Sequence, residues 1–323
     1  MSRWLGAEEI AELLTPQLAL AAVGDALEWC RLGTAQTPSR ERLEHNGTLL
    51  LSMRAAAEAG IAEKVLTLNT RASCGTHPTI QGVLLIFDAN TGSLRGVLDG
   101  GAVTAIRTAA IAAWATDRLA SASASRMLLV GAGAQARWQV EAILSVRDIQ
   151  EVTIWNRTRA KAQTLANTLK AQHPYVTFTT ADDLHVAARD SDVITLVTAC
   201  QEPMLEFADL PATCHINAMG AHERDARELA SDVMAHADIY ADTLDGCLNE
   251  AGDLLIPLGE GVLDLMDIQS LATAGTRKSD ITVMKSVGSA VFDLACGALL
   301  LDALDARGGP RAVSSGLALV PDQ

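Results

Sequence analysis

Leu128-Leu129-Val130-Gly131-Ala132-Gly133-Ala134-Gln135-Ala136 decides the fold. Three apolar residues with the character of a strand run into G-x-G-x-x-A, and the next residues have helical spacing. Each small residue then has a mechanical purpose. Gly131 permits a tight turn, Gly133 lets the backbone approach a pyrophosphate, and Ala136 lets the helix lie close on the sheet. The helix start offers free N–H groups and the positive end of its dipole to phosphates. The stretch predicts a dinucleotide site touched by Gly131, Gly133, Ala134 and Gln135. A glycine turn without a nucleotide has the same letters, but its place between strand and helix favours the nucleotide.

From Arg126 onward strand and helix candidates alternate. Residues 127–130, 152–155, 176–179, 193–198, 215–219 and 239–242 read as strands, with helices over 135–146 and 159–172. That alternation predicts a doubly wound parallel sheet, a Rossmann α/β domain with right-handed crossovers. Thr198 and Met219, at the ends of two of these strands, are taken as further cofactor contacts. The first 115 or so residues are mixed. Residues 8–32 and 104–119 read as helices; 49–53, 65–69, 82–88 and 93–98 read as β-strands, the last two joined through a turn at Asn90-Thr91-Gly92. Residues 282–304 read as a strand followed by a helix. The expected organisation is a Rossmann domain over 118–288, inserted in a second α+β domain built from 1–117 and 289–323.

The tip of the second strand bears on the cofactor. An NAD site usually carries Asp or Glu about 20 residues past the fingerprint, where it accepts from the ribose 2′-OH. Here Val152-Thr153-Ile154-Trp155 ends in Asn156-Arg157-Thr158-Arg159, with no carboxylate. Arginines at a helix start oppose the helix dipole. A bound 2′-phosphate gives them a partner through charge-assisted hydrogen bonds. NADP(H) is therefore the preferred cofactor, and NAD(H) remains possible.

Composition narrows the partners. Of 323 residues, 49% are hydrophobic but only 3% aromatic, so the cores rest on Ala, Leu, Val and Ile. The net charge of −14 argues against non-specific nucleic-acid binding and against docking on anionic membranes. The first residues carry Glu8, Glu9 and Glu12 where a secretory signal has a basic start, so a cytoplasmic protein is expected. No uncharged apolar run reaches spanning length, and Asp293 and Asp302 interrupt the apolar C-terminal segment. Cys30, Cys74, Cys200, Cys214, Cys247 and Cys296 have no paired spacing, and the seven histidines are dispersed. Neither a disulfide framework nor a metal site is expected.

Basic residues are nevertheless prominent in the N-terminal part: Arg40, Arg42, Arg54, Lys64, Arg71 and Arg107. Lys64 stands before an apolar strand and Arg107 in an Ala-rich helix. Buried cations need an anionic partner or a shifted pKa, and a bound carboxylate would supply the partner.

Four segments, in order along the chain, carry a resemblance. Glu63-Lys64-Val65, Thr104-Ala105-Ile106-Arg107-Thr108-Ala109-Ala110, the fingerprint at Gly131, and Thr282-Val283-Met284-Lys285-Ser286-Val287-Gly288 resemble the ornithine cyclodeaminase/mu-crystallin family. The resemblance implies a homodimer whose dimerisation and substrate domain uses both chain ends. It implies that Lys64, Arg107 and Arg40 hold a substrate carboxylate, and that Thr108 and Gly288 lie near the nicotinamide. In cyclodeaminases the segment after the fifth strand resembles G-x-D; here Gly220-Ala221-His222 puts His222 in the Asp position. That departure points away from ornithine cyclisation. Asn217-Ala218-Met219-Gly220-Ala221 with Asp225, Arg227, Glu228 and Leu229 looks like the mu-crystallin branch, whose activity is ketimine reduction. The implied reaction is reduction of Δ1-pyrroline-2-carboxylate or Δ1-piperideine-2-carboxylate to L-proline or L-pipecolate. Lys64 and His222 are the candidate proton donors, with Arg107 beside them. A cyclodeaminase or amino-acid dehydrogenase, and a non-catalytic NADP-dependent binding protein, are the alternatives.

Overall fold

A computed structural model describes residues 2–69, 80–275 and 279–306. Arg71 and Cys74 lie outside the described residues. Six strands form the first sheet: β1 (Arg3–Leu5), β2 (Glu41–His45), β3 (Thr48–Ala57), β4 (Gly60–Asn69), β5 (Ile80–Phe87) and β6 (Leu94–Asp99). Their order is β1-β6-β5-β4-β3-β2, antiparallel except for the β1–β6 pair. The two-residue period sets the faces. Leu51, Met53, Ala55, Ala62, Leu66, Leu84 and Ile86 are buried on one side. Lys64 shares that side; it lies inside β4 opposite Met53, rather than ahead of the strand.

Helices α1 (Ala7–Leu13), α2 (Pro16–Leu32) and α3 (Gly100–Leu119) belong to this part of the chain. The sequence predicts one helix over 8–32; the structure breaks it at Thr15. The break has a local cause. Pro16 has no N–H to give a continuing helix but suits a first turn, and Thr15 Oγ1 accepts from Leu18 N at 3.3 Å.

Eight parallel strands form the second sheet: β7 (Arg126–Val130), β8 (Glu151–Trp155), β9 (Thr177–Thr180), β10 (Val193–Leu196), β11 (Cys214–Ala218), β12 (Asp238–Ala241), β13 (Ile268–Ser270) and β14 (Ile281–Lys285). Their order is β13-β12-β14-β11-β10-β7-β8-β9. The order reverses at β7, so the crevice between β7 and β10 is a topological switch point. Helices α4 (Ala136–Leu144), α5 (Arg159–Gln172), α6 (Leu184–Arg189), α7 (Ser231–His236), α8 (Leu244–Glu250) and α9 (Gly252–Glu260) link these strands. Burial on both faces explains why β10, β11 and β14 are buried at every position.

The chain then leaves β14 and enters α10 (Ala290–Ala306), which packs on β3, β4 and β5 and against α2. A Rossmann sheet is thus inserted in an α+β domain built from both chain ends. Among the described residues no single helix is long and apolar enough to cross a membrane.

Candidate active site

The fingerprint forms the turn that the sequence predicts. Gly131 has φ +110°, and a Cβ there would lie 2.8 Å from the Val197 carbonyl oxygen at the end of the neighbouring strand. Both conditions require glycine. Gly133 and Ala134 are exposed, with open space where a Gly133 side chain would stand. Oε1 of Gln135 is buried beside this turn without a hydrogen-bond partner among the described residues. Open space over a helix start, with an orphaned acceptor beside it, fits a dinucleotide.

Asn156 has a different task from the arginines that follow it. Its Oδ1 accepts from Ala132 N at 3.1 Å and its Nδ2 donates to Thr158 O at 2.9 Å, so it ties the glycine turn to the tip of β8. Thr158 precedes α5 without a side-chain cap, and no acidic residue occupies the first turn. Arg159 pairs with Asp182 at 2.5 Å, both well exposed. Arg157 is exposed and has no ion pair among the described residues.

Two of the predicted substrate residues meet at a third that the sequence reading did not assign. Lys64 Nζ lies 2.6 Å from Asp293 Oδ2, and Arg107 Nε donates to Asp293 Oδ1 at 3.2 Å. Lys64 and Asp293 are 0% exposed and Arg107 is 5% exposed. Thr104 Oγ1 is 3.4 Å from Lys64 Nζ. Burial pushes the Lys64 ammonium down, Asp293 pulls it back, and Arg107 and Arg40 push it down again, to about 8. Burial alone would raise the Asp293 carboxyl, but Arg107 and Lys64 hold it below its usual range. Gly288 has φ +77°, and a Cβ there would lie 2.7 Å and 2.8 Å from the terminal nitrogens of Arg107. Thr108, the next residue of α3, is half-buried.

Arg40 stands apart from this pair. Its Nε is 2.9 Å from Glu250 Oε1, and its Nη2 donates to the carbonyls of Val287 and Gly288. Burial pushes the Glu250 carboxyl up, against the pull of Arg40, Arg42 and His222. Arg40, Arg42, Arg54, His222, Glu250 and Gly288 line one open cleft of about 920 Å³. Nδ1 of His222 is 3.1 Å from the carbonyl of Gly220. The structure therefore gathers Arg40, His222 and Gly288 at the cleft, with Lys64 and Arg107 buried behind Gly288.

A second buried charge cluster lies under the same edge of the parallel sheet. Glu228 accepts from Thr198 N at 2.9 Å, Thr198 Oγ1 at 2.7 Å, Gly220 N at 2.7 Å and Ala221 N at 3.3 Å. Asp253 accepts from the backbone N–H groups of Glu228 and Leu229 and from Lys285 Nζ at 2.7 Å. Lys285 also donates to Ala221 O at 2.5 Å. The strand expected to reach Thr198 ends at Leu196, and the N–H and hydroxyl of Thr198 both donate to Glu228. Met219 lies just past β11, its N–H bonded to Leu196 O at 3.0 Å. Asp242 supports the third edge segment, accepting from Ser286 Oγ at 2.6 Å and Gly288 N at 2.8 Å. Sequence signals for these acids are sparse: Asp293 and Asp253 are carboxylates in apolar stretches, and Glu228 falls in the segment that resembles the mu-crystallin branch.

Comparison with known proteins agrees with this architecture. The model of the ornithine cyclodeaminase/mu-crystallin family matches residues 3–307. The Delta(1)-pyrroline-2-carboxylate reductase of Colwellia psychrerythraea is 35% identical over 225 residues, 67% of this chain and 71% of that protein. The ketimine reductase mu-crystallin of Mus musculus is 34% identical over 260 residues, 80% of this chain and 81% of that protein. A solved structure of Thermococcus litoralis Delta(1)-pyrroline-2-carboxylate reductase, in complex with NADH and L-proline, superposes with a TM-score of 0.89 at 28% identity. That match covers 94% of this chain and 98% of the other. With a family match that runs through both domains, the chain belongs to the ornithine cyclodeaminase/mu-crystallin family.

Proposed function

We propose that the chain is an oxidoreductase that reduces a cyclic ketimine carboxylate, Δ1-pyrroline-2-carboxylate or Δ1-piperideine-2-carboxylate, to L-proline or L-pipecolate. The observation that carries this reading is the Lys64–Asp293–Arg107 cluster. Two buried cations share one carboxylate behind Gly288, at the C-terminal edge of a Rossmann sheet. One positive charge is left over for an anion beside the place where a nicotinamide would sit. The names of the two relatives and the L-proline in the Thermococcus litoralis complex support the same substrate class.

A bound nicotinamide supplies the hydride that reduces the C=N carbon. Gly131, Gly133, Ala134, Gln135 and Asn156 would hold its dinucleotide, and Thr108, Thr198, Met219 and Gly288 would border its ring. The protein supplies three further things. The terminal nitrogens of Arg107 bind the substrate carboxylate, with Lys64 as the second cation and Arg40 acting by charge at longer range. The same contacts fix the ring in one orientation. A proton must also stay on the imine nitrogen to keep the carbon electrophilic. Lys64 is suited to supply it, because burial brings its pKa to about 8, near neutral pH. His222 is the second candidate: its Nδ1 donates to the Gly220 carbonyl, so its Nε2 is left for the cleft and gives a proton from the imidazolium form.

The preferred cofactor is NADP(H), with NAD(H) accepted more weakly. Arg157, exposed and without an ion pair among the described residues, stands at an uncapped helix start and supports this preference. The domain limits that accompany this reading are 1–117, 118–288 and 289–323, the first falling within the last turn of α3. A homodimer forms across the outer face of the first sheet. The apolar side chains Leu50, Ile61, Val65, Val83, Leu85 and Phe87 on that face are only half-buried or exposed in the single chain.

The deciding experiment is NADPH oxidation with five- and six-membered cyclic ketimines, with pyruvate plus ammonia as control. Turnover of a cyclic ketimine supports the reading. Ammonia release from ornithine, alanine or lysine with no ketimine turnover would replace it with a cyclodeaminase or dehydrogenase. Tight binding of these ligands without any turnover would leave a binding protein.

A further inference from the structure

Asp293 stands on a helix that is otherwise apolar and buried from Ala290 to Ala298. A lone carboxylate in such a place is unfavourable unless both oxygens are satisfied. Here they are divided between cations from two different elements. Oδ2 takes Lys64 Nζ from β4, and Oδ1 takes Arg107 Nε from α3.

The division matters most for Arg107. A guanidinium is a rigid plane with five donors. Anchoring Nε leaves the Nη1–Nη2 edge as the face that can grip a carboxylate with two parallel hydrogen bonds. Neither terminal nitrogen has a hydrogen-bond acceptor among the described residues. Both lie against Gly288, the residue whose missing side chain opens the way to the cleft. Asp242 holds the Gly288 N–H, so the glycine is itself fixed.

We propose that Asp293 is the positioning residue of the carboxylate site. It fixes Lys64 Nζ with one oxygen and Arg107 Nε with the other, so that the free edge of Arg107 is aimed past Gly288 at an incoming carboxylate. The proposal rests on the carboxylate-binding role given above to Lys64 and Arg107. Asp293 touches neither substrate nor cofactor; it acts through the two cations. Without it, burial and mutual repulsion would drive the cations apart and favour a neutral Lys64.

The test is calorimetric titration of L-proline and pyrrole-2-carboxylate into the full chain saturated with NADP(H). Asp293→Asn keeps the size of the side chain but can accept from only one of the two cations. The dissociation constants of both carboxylates should rise by about 30-fold or more, the usual consequence of breaking a buried charge pair. The affinity for NADPH, measured separately, should be unchanged, which a general loss of structure would not allow. Asp293→Glu keeps the charge and displaces it by one methylene. Weak carboxylate binding with normal NADPH binding in this variant would assign the effect to placement. Wild-type carboxylate affinity in both variants overturns the role of Asp293 alone. Failure of both variants to fold also overturns it, and makes Asp293 a stability residue. A wild-type chain that binds NADPH but neither carboxylate removes the underlying reading of Lys64 and Arg107 as well.

Discussion

Lys64 and Lys285 are the same residue type, equally buried, each bonded to one aspartate, and their pKa values move in opposite directions. Burial pushes both down. Around Lys64 only Asp293 pulls back, and Arg107 and Arg40 add to the push, so the ammonium falls to about 8. Around Lys285 the carboxylates of Asp253 and Glu228 together outweigh burial and raise it. The first cluster has two cations for one carboxylate; the second has two carboxylates for one cation. The second is closed, because the bonds of Glu228 and Asp253 all go to the chain itself. The first is open, because the terminal nitrogens of Arg107 have no acceptor among the described residues. On the proposed reading the open cationic cluster is a receptor for a carboxylate, and the closed anionic one a brace for the segments around it.

The largest effects should separate receptor from brace. Lys64→Ala or Arg107→Ala should lower kcat/KM for a cyclic ketimine by about 1000-fold, roughly 4 kcal/mol, and leave NADPH binding intact. Lys285→Met leaves two buried carboxylates sharing no cation and should destabilise the fold by about 3–5 kcal/mol. Steady-state kinetics and thermal melts on all three variants check this. The comparison fails if the Lys64 variant melts early while the Lys285 variant is stable and only inactive.

A smaller effect tests the brace directly. Glu228→Gln keeps the shape but sets an amide NH₂ against N–H donors from Gly220 and Ala221, or against those of Thr198. The expected loss is about 2 kcal/mol of stability, together with weaker nicotinamide binding, because Thr198 and Gly220 sit at the sheet edge where the ring would lie. A variant with unchanged melting temperature and NADPH affinity would remove Glu228 from the brace.

The two clusters were unequally legible in the sequence. The glycine turn at Gly131 is a local pattern of spacing, and it forms as read. Lys64 and Arg107 are recognisable as cations in apolar stretches, although nothing local joins them. Asp293 is 229 residues from Lys64 and 186 from Arg107, and the pairing exists only once α10 folds back on the first sheet. Its one signal, a charge in an otherwise apolar helix, is equally the signal that argues against a membrane span. Glu228 follows Arg227 and Asp242 is three residues from Asp245, so both look like surface acids, whereas Asp253 precedes the apolar run Leu254-Leu255-Ile256. Their burial follows from the crowding of strand ends in a parallel sheet, where backbone N–H groups leave the ladder and need acceptors. The broken helix at Thr15-Pro16 is a different kind of miss: apolar periodicity continues through the break, and the backbone chemistry of proline overrides it.

The open cluster should also show in the pH dependence. Lys64 must be protonated to hold a carboxylate or to supply a proton, and its pKa is about 8. Activity should therefore be retained below that value and fall as pH rises through it, by about tenfold per unit at the steepest. The groups facing Lys64 are Asp293, whose carboxyl Arg107 and Lys64 hold below its usual range, Arg107 and Arg40. Lys285, raised above its ordinary value, should contribute nothing to this limb. A profile flat to pH 10 would show that Lys64 titrates elsewhere or that its proton is not needed.

The smallest effect belongs to an exposed cation. Arg157 is exposed, stands where α5 begins without a cap, and has no ion pair among the described residues, whereas Arg159 beside it is held by Asp182. Solvent screens an exposed guanidinium, so its contribution to a 2′-phosphate is modest, about 1 kcal/mol. Arg157→Ser should raise the KM for NADPH by about fivefold and leave the KM for NADH unchanged. Arg159→Ser should do less, because that side chain already has a carboxylate partner. Equal changes for both cofactors would mean that Arg157 shapes the helix start without reading the phosphate. A larger effect at Arg159 would mean that a phosphate pulls it away from Asp182 on binding. Exposed Arg157 thus extends the contrast of the two lysines: on the proposed reading each cation left without a carboxylate among the described residues meets a ligand, and its burial sets how much binding it controls.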